Sequence, residues 1–513
     1  MKLAPLGVVL VVCGCSVLDG TYEALDDPNE SSSSGAVDET NSTGSDPEPT
    51  TSTGTTGIPM DLGSEPETDT ESASNLDIVA FTASTDKMLR AGSIVFEAEV
   101  EGEASELWLH VHQDGEPISE TSWPLGSPTF EYIVNSDELD GELTFTLVAS
   151  AGPANDSESV SVTVDLPESG SKDFRWVSPA IGRGMALGVL PGEGIERDQV
   201  VVVGNDIDDV LMMGVVTNGS LPMSPFPAMK VHALDVADGF IFVAGERDGE
   251  MVVRKYTSKL QQYWEVTVPD ARALDVAVGP SGDVFVVGEV DVDGMFPHTE
   301  AALWTLTESG GFLHDVATFI EFDEWNIPLA SSLTSVGFLG EQVVAAGFRQ
   351  SSVEFRPPRA TIFEWVDQSL LDRNVYAGTF EEERCSWNDM VVASGKLFTI
   401  GWHRTTALDP TSVAFGRYGE ELVTQFFSPS WGGFGIGNTI AYGEYAMIAG
   451  HRTVALKPRL AVQAAPWSQS YVDDGGDQSW ASDIAIDRHG YVHVVGEQIK
   501  DGNPHLLLVR LNP

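Results

Sequence analysis

Basic charge and cysteine are both scarce in this chain. Lys and Arg number 27 against 78 Asp and Glu in 513 residues, a formal charge of −51. Such a field repels phosphate backbones, so nucleic-acid binding is excluded. Three cysteines, two of them at Cys13 and Cys15, cannot supply a disulfide framework. The apolar run from Leu3 to Val12 is too short to cross a bilayer as a helix. Signatures of catalysis are missing too: there is no GxSxG elbow, no HExxH pair, no phosphate-binding loop and no sialidase-type Asp box. The expectation is therefore a chain without cofactor or resident metal, and more binding protein than enzyme.

What the short run does fit is the apolar region of a secretory signal. Lys2 precedes it, and Val12-Cys13-Gly14-Cys15 follows. Small and apolar residues before a cysteine resemble the lipobox of bacterial lipoproteins. That resemblance implies removal of residues 1–14 and lipidation of Cys15, and Ser16 resembles an outer-membrane sorting residue. Cys385 is then the one remaining thiol, expected to be a small buried hydrophobe. Residues 15–75 collapse to Ser, Thr, Gly, Pro and acids, with no Lys or Arg between Ser16 and Lys87. Low hydropathy with charge of one sign predicts a disordered tether, with an r.m.s. span of ~40 Å.

From residue 76 to 168 the pattern becomes one of short alternating runs. Ile78 to Ala83, Ile94 to Val100, Leu107 to His112, Phe130 to Val134, Leu143 to Ala149 and Val160 to Val164 each read as a period-two strand. Asp114-Gly115, Asp140-Gly141 and Gly152-Pro153 punctuate them. The spacing predicts a β-sandwich with Trp108 in its core. Leu143 to Val164 is similar to the last hairpin of bacterial Ig-like and fibronectin-III-like domains.

Residues 172–513 repeat a short apolar strand, a turn and an alternating run that ends in glycine. The terminal glycines are Gly204, Gly245, Gly288, Gly347, Gly401, Gly450 and Gly496, spaced 41 to 59 residues apart. Units of that length fit four-stranded blades, so the fold class expected is all-β, with a seven-bladed β-propeller after the sandwich. The last unit lacks an outer strand, while Phe174 to Ser178 resembles the outer strand Tyr263 to Pro269. Residues 173–178 are thus expected to close the ring and cover an open edge. Trp467, Asp473 to Asp477, Asp483 to Asp487 and Gly490 to Val492 resemble the bacterial SBBP-type propeller repeats, a resemblance that implies a propeller and no particular reaction.

Function must come from what does not repeat. Asp235, Asp275, Asp389 and Asp483 recur, with Gly188 and Ser335 in their place elsewhere, and read as turn caps rather than a cation ring. Asp206, Asp208, Asp209 and Asp291 to Gly294 carry only fragments of a calcium loop. His110 and His112 share a strand face without a third ligand. The irregular loops after second and outer strands should share one face, and they hold Phe296, Trp325, Phe355, Trp402, His403, Arg404, Trp431 and Phe434. Aromatics and Arg on loops held by a rigid scaffold favour ligand binding, against the alternative that they pack beneath their own loops. The chain is therefore expected to be a lipid-anchored envelope protein, a monomer bound to the outer membrane, facing periplasm or exterior, that holds a glycan or protein. A propeller hydrolase acting on polysaccharide, or an outer-membrane assembly scaffold, is the alternative.

Overall fold

The computed structural model describes residues 76–180, 182–192, 198–216, 220–322, 327–350, 359–366, 368–375, 384–393, 395–404, 412–418, 424–427, 435–442, 446–454, 457–464, 468–469 and 478–513. The leader and tether expectations, Cys15 included, lie outside these residues.

Among the described residues there is no α-helix, and one short 3-10 turn, Asp137–Leu139. The first two sheets have three and five strands. Asp77–Ala83, Gly92–Glu101 and Thr129–Val134 form one; Glu116–Ser122, Glu106–Gln113, Gly141–Ala151, Ala154–Val164 and Lys87–Met88 form the other. Alternate residues point inward, as the pleat requires. Ile94, Phe96, Leu109, Val111, Leu143, Phe145, Leu147 and Val162 all lie fully buried between them. Trp108 is not among them. Leu107, Leu109 and Val111 take the inner face, so Trp108 turns outward and its Nε1 donates to Glu106 at 3.3 Å. The buried indole belongs to Trp123, which stacks on Phe130 and donates to the Ser127 carbonyl. His110 and His112 share the outer face with Trp108, half-buried.

Beyond Lys172, seven four-stranded antiparallel sheets follow one another. In the second of them the strands are Lys230–Ala237, Phe240–Arg247, Glu250–Thr257 and Gln262–Pro269. The first strand of each sheet contacts the first strand of the next, and Ser479–Ile486 of the last contacts Gly182–Leu190 of the first. The sheets therefore close into a ring. The last one holds Ser479–Ile486, Val492–Lys500 and Asn503–Leu511, and its outer strand is Lys172–Val177, with Trp176 opposite Leu508. Chain from before the first sheet thereby finishes the last, which removes an open edge.

The repeated glycine has a steric cause. Every first strand carries a β-bulge at the residue pair facing it, as between Ala273 and Asp275 opposite Gly288. The bulge pushes a backbone carbonyl against the second strand. A Cβ on Gly288 would lie 1.9 Å from the Arg272 carbonyl oxygen, and at Gly204, Gly245, Gly347, Gly401 and Gly496 the corresponding distance is 2.0 or 2.1 Å. No side chain fits there. Between sheets the ring is filled by apolar layers such as Val201, Val203, Val231, Ile241 and Val243, each worth roughly 1.5–3 kcal/mol when buried.

The recurring aspartates join neighbouring sheets. Asp483 Oδ1 accepts from the Ile484 amide at 2.7 Å, and its Oδ2 accepts from the Leu187 amide of the first sheet at 2.8 Å. Asp235 reaches Val278, Asp275 reaches Val336 and Asp389 reaches Ile440 in the same way. These side chains are not caps on their own turns. They are clasps between consecutive first strands. The bulge positions also show that Asp275, Ser335, Asp389, Thr439 and Asp483 are equivalent, whereas Asp235 and Gly188 stand two residues further along.

Gly288→Ala should lose about 3 kcal/mol of stability, as overpacking against backbone does, whereas Gly294→Ala, with open space around it, should change stability by under about 0.5 kcal/mol. Urea titration of both measures the contrast, and equal midpoints would refute the steric account. Asp483→Ala strips two amides of a charged acceptor at the ring junction. It should cost roughly 2–4 kcal/mol by the same titration.

Candidate functional site at the channel mouth

In an antiparallel sheet the turn after the first strand lies at one end, and the loops after the second and outer strands lie at the other. The sandwich meets the first kind of end. His489, in the turn between the first two strands of the last sheet, has Nε2 3.0 Å from Ser93 Oγ, and the Tyr491 hydroxyl donates to the Ala91 carbonyl. The linker is pinned as well: Asp137 accepts from the Ser169 amide and hydroxyl, and the Gly170 amide donates to Asn512. The opposite end of the ring is left uncovered by the sandwich.

On that open end, the bulge geometry brings two positions of every sheet together. One is the residue just before the bulged pair, and the other is the residue just after the glycine. In order round the ring they pair as Arg183 with Asn205, Lys230 with Glu246, Arg272 with Glu289, Ser332 with Phe348, Ser386 with Trp402, Ile436 with His451 and Trp480 with Glu497. These positions lie at the open end of each sheet, and Asn205, Ser332, Ser386 and Glu497 among them are buried. Their chemistry changes from sector to sector.

One sector is ionic and crosses sheet boundaries. Arg272 Nη2 lies 3.1 Å from Glu289 and 2.9 Å from Asp291, and its Nε lies 4.0 Å from Glu246 of the neighbouring sheet. Lys230 meets the same Glu246 at 2.8 Å, with His232 at 3.8 Å. Arg183 lies 3.2 Å from Glu497 across the ring junction. Burial works to raise the Glu246 carboxyl, but the Lys230 hydrogen bond and the surrounding cations hold it below its ordinary value. Burial pushes His232 down and Glu497 up.

The other sector is aromatic. Phe348 and Trp402 occupy, in adjacent sheets, the register position held elsewhere by Glu246, Glu289 and Glu497. Trp402, His403 and Arg404 therefore lie in the strand Lys396–Arg404 rather than in a loop. Phe296 is in a loop, 47% exposed beside Met295 at 88%. His298 fixes that loop by donating from Nδ1 to the Phe296 carbonyl at 3.0 Å. Ile320 and Phe322 are exposed at the same end. Trp325, Phe355, Trp431 and Phe434 lie outside the described residues, as do the side chains of Trp402, His403, Arg404 and Cys385. The sequence reading missed Phe348 and the basic residues Arg183, Lys230 and Arg272. The signal was present, because each basic residue stands at a fixed offset before the bulge.

The calcium-loop fragments have other employment. Asp206 Oδ1 accepts from the amides of Asp208 and Val210, closing a tight turn, and Asp291 pairs with Arg272. Among the described residues no group of three or more His, Cys, Asp or Glu is placed to hold a metal ion. In the channel wall, burial raises Asp235, and burial with the nearby Asp389 charge raises Asp275 well above its ordinary value.

A closed ring of four-stranded antiparallel sheets with their first strands innermost is a β-propeller. No protein-family model matches the chain, and no curated protein matches it. Several solved structures are similar at 9–10% identity. A Bacteroides thetaiotaomicron protein of unknown function matches at TM-score 0.38, over 85% of this chain and 98% of that one. The Dos1 propeller matches at TM-score 0.36, over 66% and 95%, and Saccharomyces cerevisiae Sqt1 at 0.35, over 66% and 88%. The propeller class rests here on strand pairing and ring closure.

A carboxyl whose native pKa is raised favours folding in its protonated form. That share of stability is present below the unfolded carboxylate value of ~4 and is lost as pH rises through the raised native value. Asp275→Asn should therefore flatten the decline of unfolding free energy between acid and neutral pH. Urea titrations across that range test it, and an unchanged slope counts against a raised Asp275.

Proposed function

We propose that this protein is a non-catalytic binding or scaffold propeller, carried on a lipid anchor at Cys15 and presenting the channel mouth to a glycan or protein ligand. The reading takes the ring as seven-bladed, residues 172–513, and the two preceding sheets, residues 76–168, as an Ig-like spacer. Support comes from the seven four-stranded sheets among the described residues and from the apolar core between the two earlier ones.

The observation that carries the functional reading is the divided mouth. Phe348 and Trp402 hold the same register position in adjacent sheets, while Arg272, Lys230 and Glu246 form a fixed ionic sector in the preceding two. Aromatic residues at these positions, next to charged groups that are already paired, would suit a ligand with both apolar and hydroxyl surfaces, as a sugar ring has. The loop residues Phe296, Trp325, Phe355, Trp431 and Phe434 would widen that surface, with His403 and Arg404 at its edge.

The polarity of the folded part supports tethering. Asp77, where the tether would enter, pairs with Glu101, while Gly92 at the far end of the same strand pairs with Val134 beside the propeller contact. The entry point is thus some nine residues, ~30 Å, from the propeller, and the mouth lies on the propeller's other side. Such a layout would leave the mouth free to face away from the membrane. A glycan and peptide array should give retention by the intact chain, and Trp402→Ala with Trp431→Ala should abolish it while moving the thermal midpoint by only a few degrees. Loss of folding in both variants would show that these side chains serve packing rather than binding.

A further inference from the structure

A second concavity lies away from the mouth, where the sandwich meets the propeller. It is a crevice of about 500 Å³ against the outer face of the three-stranded sheet, within the size range of small-ligand sites. One wall is Thr82, Ser84, Ser93 and Glu97; His489 of the propeller forms another, and Arg90 and Met88 also line the crevice. His489 is buried, so this wall exists only because the two parts are docked.

We propose that this crevice is a binding site for a hydroxylated carboxylate of the sugar-acid kind. Arg90 is exposed and makes no ion pair with any described residue, although acids outnumber basic residues almost threefold in this chain. A free guanidinium presents a planar donor fork that matches a carboxylate. The hydroxyls beside it have hydrogen-bonding capacity to spare. Ser84 Oγ already accepts from the Val95 amide at 2.9 Å, which leaves its proton to donate into the crevice. Ser93 Oγ shares one hydrogen bond with His489 Nε2 and keeps a further lone pair. Glu97, exposed on the same strand, adds an acceptor for ligand hydroxyls. No aromatic side chain lines the crevice, so the site recognises polar edges rather than a sugar face. The surrounding negative field disfavours a dianionic phosphate and tolerates a single carboxylate.

Isothermal titration of the full chain with galacturonate, a short galacturonate oligomer and galactose tests this. Galacturonate should bind, with galactose at least about tenfold weaker. Arg90→Met should cost about tenfold or more in affinity with the thermal midpoint unchanged, since Arg90 is exposed and unpaired. His489→Ala should also weaken binding, because it removes the propeller wall. Tighter binding of the oligomer identifies an acidic chain as the source of the sugar acid, and equal binding identifies the free monomer. Equal affinity for galactose and galacturonate, full affinity in Arg90→Met, or no saturable binding by either acid would overturn the proposal. Trp402→Ala should leave galacturonate affinity intact; loss there would move the ligand to the channel mouth, overturn the crevice and separate this site from the mouth reading.

Discussion

The bulge in the first strand of each sheet is the constraint from which the rest of the ring follows. An extra residue at that point tilts a carbonyl onto the neighbouring strand, and only glycine leaves room for it. The same kink sets the register of what comes next. Immediately after the bulge stands the residue whose carboxylate, in three sheets, reaches the following sheet. On the other side, the residue before the bulged pair and the residue after the glycine are paired in register at the open end of the ring. One backbone device therefore fixes the packing residue, the clasp and the candidate ligand surface.

The clasps explain why a chain so rich in acid keeps carboxylates in its interior. Burying a charge is costly unless it is fully hydrogen-bonded, and each clasp oxygen meets a backbone N–H at 2.7 to 2.9 Å. The amides they satisfy face the channel, where no neighbouring strand would pair them. Asp275 shows the limit of the arrangement, since burial and the Asp389 charge both oppose its ionisation. Ser335 relieves part of this by donating its hydroxyl to Asp389 at 3.0 Å. The substitution of Ser for Asp at that position keeps a third carboxylate from standing between two others.

Glycine spacing made the ring legible in sequence, because a steric requirement seen at six of the repeat glycines leaves a mark that side-chain variation cannot erase. The edge strand Glu116–Ser122 left no such mark. Its residues are mostly exposed, so nothing forces apolar alternation on them. Trp108 reads as a core residue because an indole suits a core, yet the aliphatic neighbours Leu107, Leu109 and Val111 take the inner face, and nothing in the sequence singles out the buried Trp123. Asp235 was aligned with Asp275 because both follow a leucine, or lie near one, in similar apolar runs, and the offset of two preserves strand face. Only the position of the bulge tells them apart. The mouth residues were partly legible for a related reason: Trp402 was noticed for its type, whereas Arg183, Lys230 and Arg272 matter by position, which pairing reveals and composition does not.

The mouth and the crevice differ in what holds their groups in place. At the mouth, Arg272 is shared among Glu246, Glu289 and Asp291, so its charge is spent within the protein and a ligand there meets a neutralised, rigid rim beside aromatic positions. At the crevice, Arg90 has no such engagement, and the Ser84 hydroxyl beside it retains an unused donor. A ligand entering the first gains by apolar contact and shape; one entering the second gains by supplying charge. The docking of sandwich against propeller through His489, Tyr491 and Asn512 makes the second site depend on both parts at once, whereas the mouth depends on the ring alone. Any motion that loosened that docking would open the crevice and leave the mouth intact.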